Sequence, residues 1–459
     1  MPNSSVSNFA EMDNARITGQ HWKIMLISGM GFFTDAYDLF CIGVVMALLK
    51  PIWHVGKVEE SLVDSTALLA AAFGAMLFGR VADMVGRKRI YGVEVLVLAA
   101  GAIGSAFSPN IWWLIALRFI LGIGIGGDYP VSATIMSEYA GKATRGLLVT
   151  LVFAMQAAGL ILGPLFASAL LATNMSHDLI WRLLLGFGAV PALAVYWQRR
   201  HLKETPRFLA AAAMQEDDSG KLSTAKHFDK SKHSVSFWDG FHRLVNDNKL
   251  LLRLAGASAA WFLMDAAYYG NTVCTPIVLS ALGGDRTVLQ KTLTQLGIFV
   301  IFAAPGYAIA AVTMDRMGRK AIQVMGFGMM AICFALLALV PNIEKMVIPF
   351  LIIYGLSFFF TEFGPNATTF VYPSEIFPVR VRTTGHGIAA AMGKLGGFFG
   401  VFIFPYLVAW KNLLGAESAA AIASVLGLLV TLTMLPETKG KSIEEIESEN
   451  ATPAEHMAA

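Results

Sequence analysis

A carboxylate, Asp128, lies inside a long apolar run that begins near Ile111 and ends at Glu138. That run of about 28 residues would measure roughly 42 Å as a helix, whereas about 20 residues are enough to span a membrane. Asp128 lies about 10 residues from the charged end, so helical rise places it near the middle of a hydrocarbon layer about 30 Å thick. A carboxylate at that depth is costly and predicts a function, because residues that merely join membrane helices are more often Ser or Thr.

Six polar side chains, each in a different apolar segment, lie at nearly the same depth. Each is 9 to 12 residues from a charged residue at one end of its segment, which corresponds to about 13–18 Å along a helix. The six are Asp35, Tyr129, Gln156, Asp265, Asn366 and Lys394. Trp261, Asp265 and Tyr269 also repeat at helical spacing and therefore line one face of their segment. We predict that these side chains form one polar layer at the centre of a membrane.

The composition shows that such segments dominate the chain. Of the 459 residues, 56% are hydrophobic and 15% are charged, against about 25% charged in soluble domains. We predict an all-α membrane protein with twelve spans. These cover 22–49, 62–84, 90–108, 111–139, 144–172 and 180–198, then 250–281, 290–315, 320–341, 346–375, 382–411 and 416–436. The predicted domains are an N-terminal segment 1–21, a six-helix half 22–199, a polar linker 200–249, a second half 250–436 and a tail 437–459.

Several other classes of protein do not fit the sequence. The net charge of +3 is too small to argue for a nucleic-acid partner. Cys41, Cys274 and Cys333 lie far apart in apolar runs, which suits neither a disulfide framework nor a metal site. The sequence has no nucleophile–base set, and its glycines at 122–127 lie in an apolar segment without a preceding strand, unlike a dinucleotide motif. We therefore expect a protein that is not an enzyme and uses no metal and no cofactor.

Lys and Arg cluster in alternate joints between the segments, which predicts that these joints and both termini are cytoplasmic. The basic joints read GRKR, GKATRG, DRMGRK and PVRVR. GRVADMVGRKR in the first half returns as DRMGRK in the second, and a Glu–Arg pair seven residues apart also returns. Such a repeat indicates two six-helix halves with a site between them. We expect a cytoplasmic gate that locks or releases the halves, built from Asp83, Glu138, Arg145, Asp315, Glu375 and Arg382.

These motifs resemble those of the major facilitator superfamily. The general ones are GRVADMVGRKR, KETPR at 203–207 and PETKG at 436–440. GGDYPVSATIMSEYA at 126–140 closely resembles the fourth-helix motif of one member family, the phosphate:proton symporters. Further matching features are FFTDAYD at 32–38, WFLMDAAYYG at 261–270, FGPNATTF at 363–370 and MGKLGG at 392–397. The resemblance implies a major facilitator fold and proton-driven import of inorganic phosphate across a plasma or inner membrane.

The same resemblance implies roles for particular residues. Phosphate contacts are implied for Tyr129, Gln156, Trp261, Asp265, Tyr269, Asn366 and Lys394. Proton handling is implied near Asp35, Asp38, Asp128 and Glu94. The central linker and the tail are shorter than in plant and fungal members. This difference bears on whether regulation is shared with those members, and not on the site.

The implied site also makes chemical sense, because Lys394 is the one cation of the predicted central layer. Lys394 can balance dihydrogen phosphate, and Asp265 can accept a hydrogen bond from a phosphate hydroxyl, which a sulfate dianion lacks. Without ligand, the two could pair and act as a switch. Asp35 and Asp38 share a helical face, where burial favours the protonated carboxyl. One co-transported proton cancels the cost of about 2.3 kcal/mol for moving one negative charge against 100 mV.

Two other functions stay open. An organic-anion (aromatic acid):proton symporter of the same superfamily also places paired acids in its first helix, and competition assays with aromatic acids would distinguish it. A transporter-like receptor would sense a nutrient without moving it, and the absence of counterflow in proteoliposomes would identify it.

Overall fold

The computed structural model describes residues 13, 14, 16–209, 238–283 and 286–450. Helices account for most of these residues, and no strand occurs among them. The first six membrane helices are α1 (Gly19–Trp53), α2 (Lys57–Val85), α3 (Arg87–Ala106), α4 (Ile111–Tyr139), α5 (Arg145–Leu171) and α6 (His177–His201). The second six are α7 (Asn248–Val273), α8 (Val288–Met317), α9 (Arg319–Leu339), α10 (Val347–Ile376), α11 (382–410) and α12 (413–434). The prediction of twelve membrane helices in two halves is confirmed.

The structure contains two helix breaks that differ from the predicted segments. One replaces the loop predicted between 382–411 and 416–436, and the other divides the predicted segment 250–281. The helix that holds α11 and α12 runs over Arg382–Met434 and turns back at Lys411 and Asn412, where Asn412 has a φ of 53°. The predicted segment 250–281 is two helices, because α7 ends at Val273 and the chain resumes as Thr275–Ser280. Pro276 explains this break, since its ring lacks an N–H donor and clashes with the carbonyl four residues earlier.

α10 contains a π-helical turn at Glu362–Asn366. Gly364 in this turn has non-helical angles, with φ of −99° and ψ of −114°. A Cβ atom on Gly364 would collide with Gly326 of α9, so only glycine permits this contact between the helices. The wide turn changes the direction of the side chains that follow, as such turns often do at functional sites.

Helices also occur in the polar segments that flank the second half. A helix at Asp239–Asn246 lies in the predicted linker 200–249, and another at Ile443–Asn450 lies in the predicted tail. The mixed-charge stretch of the linker, QEDDSGKLSTAKHFDKSKHS at 215–234, lies outside the described residues. In the N-terminal segment, Asp13 is buried and lies 2.6 Å from Arg207.

The two halves meet along two helix pairs, α2 with α11 and α5 with α8. Gly79 of α2 lies so close to α11 that a Cβ atom on it would be 2.7 Å from the carbonyl oxygen of Thr383 and 3.1 Å from Cα of Gly387. Within each half, α2 packs along α4 and α7 packs along α11. The outer surface exposes large apolar side chains such as Leu339 and Ile348, which suits contact with hydrocarbon.

Candidate functional site

Lys394 of α11 lies at the centre of the polar layer. Its Nζ donates to Oδ2 of Asp265 on α7 at 3.0 Å and to the hydroxyl of Tyr269 at 2.8 Å. The ammonium also lies 4.3 Å from the ring centre of Tyr129 and 4.5 Å from that of Tyr269. Asp265 and Tyr269 are four residues apart on one face of α7, so both reach the same cation. A buried ion pair and two aromatic faces therefore hold a single positive charge away from water.

A chain of hydrogen bonds runs from Tyr129 into the second half. Nε2 of Gln156 on α5 donates to the Tyr129 hydroxyl at 3.1 Å. The hydroxyl of Tyr307 on α8 donates to Oε1 of Gln156 at 3.0 Å. Nδ2 of Asn366 donates to the Tyr307 hydroxyl at 2.8 Å and also to a carboxylate oxygen of Glu362. The structure thus brings five predicted residues of the central layer to one place between the halves, and Tyr307 and Glu362 join them.

Aromatic rings pack beside this layer, about one helical turn closer to the basic joints. Phe370 stacks on Phe153 with ring centres 4.5 Å apart and meets Phe32 edge-on at 4.9 Å. Trp261 lies with its ring centre 6.1 Å from that of Tyr129. Its indole N–H has no hydrogen-bond partner among the residues that the structure describes, so it remains available as a donor.

Asp35 and Asp38 share α1 but not their surroundings. The Asp38 carboxylate lies against Gly188 of α6, where a Cβ atom would overlap it. Arg118 of α4 donates to the backbone carbonyl of Asp38 at 3.5 Å. Both carboxyl groups are buried, and within the described ranges neither has a hydrogen-bond partner. A buried carboxylate without a hydrogen-bond partner is stabilised by taking up a proton.

Asp128 and Glu94 share one cation, Arg199 of α6. Nη1 of Arg199 lies 2.7 Å from Oδ1 of Asp128 and 2.9 Å from Oε1 of Glu94. The guanidinium also lies 4.5 Å from the ring centre of Tyr91. Ser132 donates to Oδ1 of Asp128 at 2.6 Å. Asp128 is therefore one member of a buried ion cluster that joins α3, α4 and α6, rather than an isolated carboxylate.

Two predicted gate residues of the first half, Asp83 and Glu138, share one cation, Arg87, which was not among the predicted gate residues. Nη2 of Arg87 lies 3.1 Å from Asp83 and 3.2 Å from Glu138. Thr205, in the KETPR motif, donates its hydroxyl to the second oxygen of Glu138. The network ties the ends of α2 and α4 to the chain that follows α6.

The second half repeats this network at equivalent positions. Arg319 lies 3.0 Å from Asp315 and 2.6 Å from Glu375. Thr438, in the PETKG motif, donates to Oε2 of Glu375 at 2.6 Å. The sequence repeat thus corresponds to a repeat of contacts, which is the strongest sign of the internal symmetry.

The two halves also contact each other where the basic joints lie. We call this side of the protein the basic face. Oδ2 of Asp83 accepts from the backbone N–H of Thr384 at 2.7 Å, and Oδ2 of Asp315 accepts from that of Leu147 at 2.8 Å. Arg382 lies 3.4 Å from Glu138 of the opposite half. Glu138 and Arg382 therefore form a contact between the two halves.

Arg145, the repeat partner of Arg382, has a different role in the structure. Its Nη2 lies 3.5 Å from Asp13, and its Nη1 donates to the carbonyl of Lys441 at 3.3 Å. Asp13 also pairs with Arg207. Arg145 therefore holds the N-terminal segment and the start of the tail against the basic face.

The face opposite the basic face contains a cavity of about 230 Å³. Its lining includes an ion pair of 2.7 Å between Lys50 and Glu60, and also Asp64 and Lys291. Lys394 and Asp265 are at most 1% exposed, so the central layer is shielded from water on both sides. The ion-pair networks and the aromatic rings lie towards the basic face, which is closed in this conformation.

Sequence reasoning missed three residues of this centre. Glu362 lies 13 residues before Glu375, so a depth window one residue wider than 9 to 12 would have included it. Tyr307 sits in an apolar segment where a lone tyrosine gives no signal. Arg199 stands in WQRRH at the end of α6, where it resembles an ordinary boundary residue until the fold shows its side chain pointing inward.

A charged site that is sealed inside a membrane and lies between two similar halves is accessible only if the halves move. This arrangement defines a membrane transporter of the major facilitator type. Comparison with known proteins agrees, because the family model described as "Sugar (and other) transporter" matches residues 23–449. A solved proton:xylose symporter, XylE, superimposes with a TM-score of 0.76 at 20% identity, covering 94% of this chain and 99% of that one. At that identity the likeness concerns the fold alone.

Curated relatives narrow the family. Inorganic phosphate transporter 1-4 of Arabidopsis thaliana is 37% identical, over 96% of this chain and 95% of its own length. Inorganic phosphate transporter 1-11 of Oryza sativa subsp. japonica is 36% identical over 97% and 91%. Low affinity inorganic phosphate transporter 1 of Petunia hybrida is 35% identical over 96% and 95%. The chain belongs to the inorganic phosphate transporter family of the major facilitator superfamily, a family of transporters and not of enzymes.

Proposed function

We propose that this protein imports inorganic phosphate together with protons by alternating access. The observation that carries the proposal is the buried Lys394 ammonium, held by Asp265 and Tyr269 beside a chain of amide and hydroxyl groups. A sealed cation with exchangeable partners suits a small monovalent anion such as dihydrogen phosphate. Phosphate would replace Asp265 as the partner of Lys394, and Asp265 would then accept a hydrogen bond from a phosphate hydroxyl.

The donors around Lys394 suit the remaining oxygens of phosphate. Nε2 of Gln156 and Nδ2 of Asn366 come from opposite halves, and the free indole N–H of Trp261 comes from α7. Binding contacts from both halves would draw the halves together around the substrate. That closure supports the proposal that phosphate occupancy is coupled to the change of access.

Proton coupling is proposed to use two groups of carboxyls in the first half. Asp35 and Asp38 are buried without hydrogen-bond partners in the described structure, whereas Asp128 and Glu94 share Arg199. Asp35 and Asp38 suit proton uptake. Asp128 and Glu94, whose charges Arg199 balances, suit the later step in which the proton is released. Each proton that enters with phosphate offsets about 2.3 kcal/mol per 100 mV of membrane potential.

Alternating access is proposed to be a rocking of the half 22–199 against the half 250–436, with the basic face and both termini in the cytoplasm. The positive joints support this orientation across a plasma or inner membrane. The gate would be the crossed contacts of Asp83, Asp315 and Arg382, which are intact here while a cavity lies at the opposite face. The conformation is therefore interpreted as closed to the cytoplasm.

Uptake of labelled phosphate into proteoliposomes with an imposed pH gradient tests the proposal. We expect accumulation that requires an acidic outside and a functional Lys394. Aromatic acids that compete fully with phosphate would favour the organic-anion alternative instead. Binding of phosphate without any counterflow would identify a receptor and contradict the transport proposal.

A further inference from the structure

Glu362 is a buried carboxyl group that the proposed transport cycle does not yet use. It lies in the π-turn of α10 and is 0% exposed. One of its oxygens accepts a hydrogen bond from Nδ2 of Asn366. The other oxygen, Oε1, has no hydrogen-bond partner among the described residues.

Two of the donors near Glu362 are already committed, whereas the hydroxyl of Tyr268 has no other partner among the described residues. Asn366 has two amide hydrogens, and these go to Glu362 and to the Tyr307 hydroxyl. The single hydroxyl hydrogen of Tyr307 goes to Gln156. Among the described residues Glu362 therefore accepts an amide hydrogen bond from a residue that is also a proposed phosphate ligand, and the neutral hydroxyl of Tyr268 is the other donor beside it.

The charged and titratable groups around Glu362 offer no compensating cation in the part of the chain that the structure describes. On α7 its neighbours are Tyr268 and Asp265, and on α8 its neighbour is Tyr307. On α9, the residue packed against the turn is Gly326, which carries no charge. Lys394 on α11 is bound to Asp265 and Tyr269. An ionised Glu362 would thus be an unpaired buried charge, which is costly unless the group takes up a proton.

We propose that Glu362 is a proton carrier of the second half, and that phosphate and Glu362 compete for the Nδ2 donor of Asn366. The inference rests on the proposed function. When phosphate binds from the outside, Asn366 turns to a phosphate oxygen and Glu362 loses its amide donor. The carboxylate then takes a proton from the outer solution and becomes a neutral carboxylic acid beside the bound anion.

The reverse exchange releases the proton. When phosphate leaves on the inside, Asn366 donates to Glu362 again, and the carboxylate regains its stabilising hydrogen bond. The O–H bond of Glu362 breaks, and the proton goes to the inner solution. The charge count favours this sequence of events, because bound phosphate and Asp265 already place two negative charges against Lys394, the cation that contacts Asp265 in the described structure.

Calorimetric titration of the purified protein with inorganic phosphate, in buffers of different ionisation enthalpy, measures the protons taken up per phosphate bound. We expect Glu362→Gln to bind phosphate and to take up one proton fewer than the wild type at the pH of largest uptake. Glu362→Asp keeps an ionisable group and should keep the extra proton. Glu417→Gln is the matched control, since Glu417 is also wholly buried but lies in α12, and its proton uptake should equal that of the wild type.

Equal proton uptake by the wild type and Glu362→Gln would overturn the inference while leaving phosphate transport intact. Failure of the wild type itself to bind or move phosphate would instead contradict the proposed function. A comparison of the unmodified protein with Glu362→Asp covers the case in which Glu362→Gln does not fold. Phosphate-induced infrared difference spectra should gain a protonated carboxyl band that shifts in Glu362→Asp, and the absence of such a band or shift would reject the role of Glu362.

Discussion

Gly31 of α1 approaches Asp128 of α4 so closely that a Cβ atom on Gly31 would overlap the Asp128 carboxylate. The same Cβ would also collide with the guanidinium of Arg199, which pairs with Asp128. Gly31 stands one helical turn before Asp35. The helix that carries the unpartnered Asp35 therefore rests directly on the ion cluster, without any side chain between them.

The contact predicts an unusual effect for Gly31→Ala. Alanine in an exposed helix normally stabilises by about 0.5–1 kcal/mol relative to glycine. At Gly31 the added methyl group must push apart the Asp128–Arg199 pair or α1 itself, and such overpacking costs about 1–3 kcal/mol. We expect a lower unfolding temperature and weaker proton-driven uptake. Gly297→Ala is the control, because nothing lies within 4 Å of a Cβ at Gly297, and a similar loss in that variant would show that the effect is not local.

Lys394→Ala should abolish measurable phosphate binding. Removing one partner of a buried ion pair costs about 3–5 kcal/mol, and each 1.4 kcal/mol is about tenfold in affinity. Lys394→Arg should also be impaired, because a planar guanidinium does not replace a compact ammonium between two rings. Titration calorimetry measures both. Lys411→Ala, an exposed lysine beside Trp410, is the control and should bind normally; near-normal affinity in Lys394→Ala would mean that another group balances the anion.

Arg382→Gln should open the basic face. It removes the pair with Glu138 that joins the two halves at 3.4 Å. In a background without native cysteines, Ser137→Cys provides a wholly buried reporter next to Glu138. We expect faster labelling of that cysteine from the basic face, by several-fold. Arg182→Gln breaks an ion pair with Asp178 away from this face, and its labelling rate should not change; an unchanged rate in Arg382→Gln would remove the pair from the gate.

Counting residues along each helix found much of the site, because helical rise fixes the depth of a side chain. Asp265 and Lys394 were placed at one depth in this way, and they are in contact at 3.0 Å. The fold was equally predictable, since apolar length and the GRVADMVGRKR repeat depend on local sequence. Depth, however, does not give the rotation of a helix about its own axis.

The contacts that sequence reasoning missed depend on that rotation. Arg199 reaches inward to Asp128, although its position near the end of α6 resembles that of a solvated residue. Glu138 pairs with Arg87 and Arg382, which are distant from it in sequence. Several arginines lie at the same membrane face, and which of them pairs with a given carboxylate depends on the distances between helices. A single sequence does not contain those distances.

Asp35→Asn should separate proton coupling from phosphate exchange. Asp35 is buried, and its carboxylate has no hydrogen-bond partner in the described structure, so the residue's chemical contribution is the proton it can carry. Asparagine keeps the size and the polarity but cannot exchange a proton. We expect pH-driven accumulation of phosphate in proteoliposomes to fall about tenfold or more, a change of at least about 1.4 kcal/mol, while exchange of labelled for unlabelled phosphate at equal pH continues. Asp178→Asn, at an exposed ion pair, should retain both activities. If accumulation and exchange fall together in Asp35→Asn, Asp35 serves the site or the fold rather than the coupling.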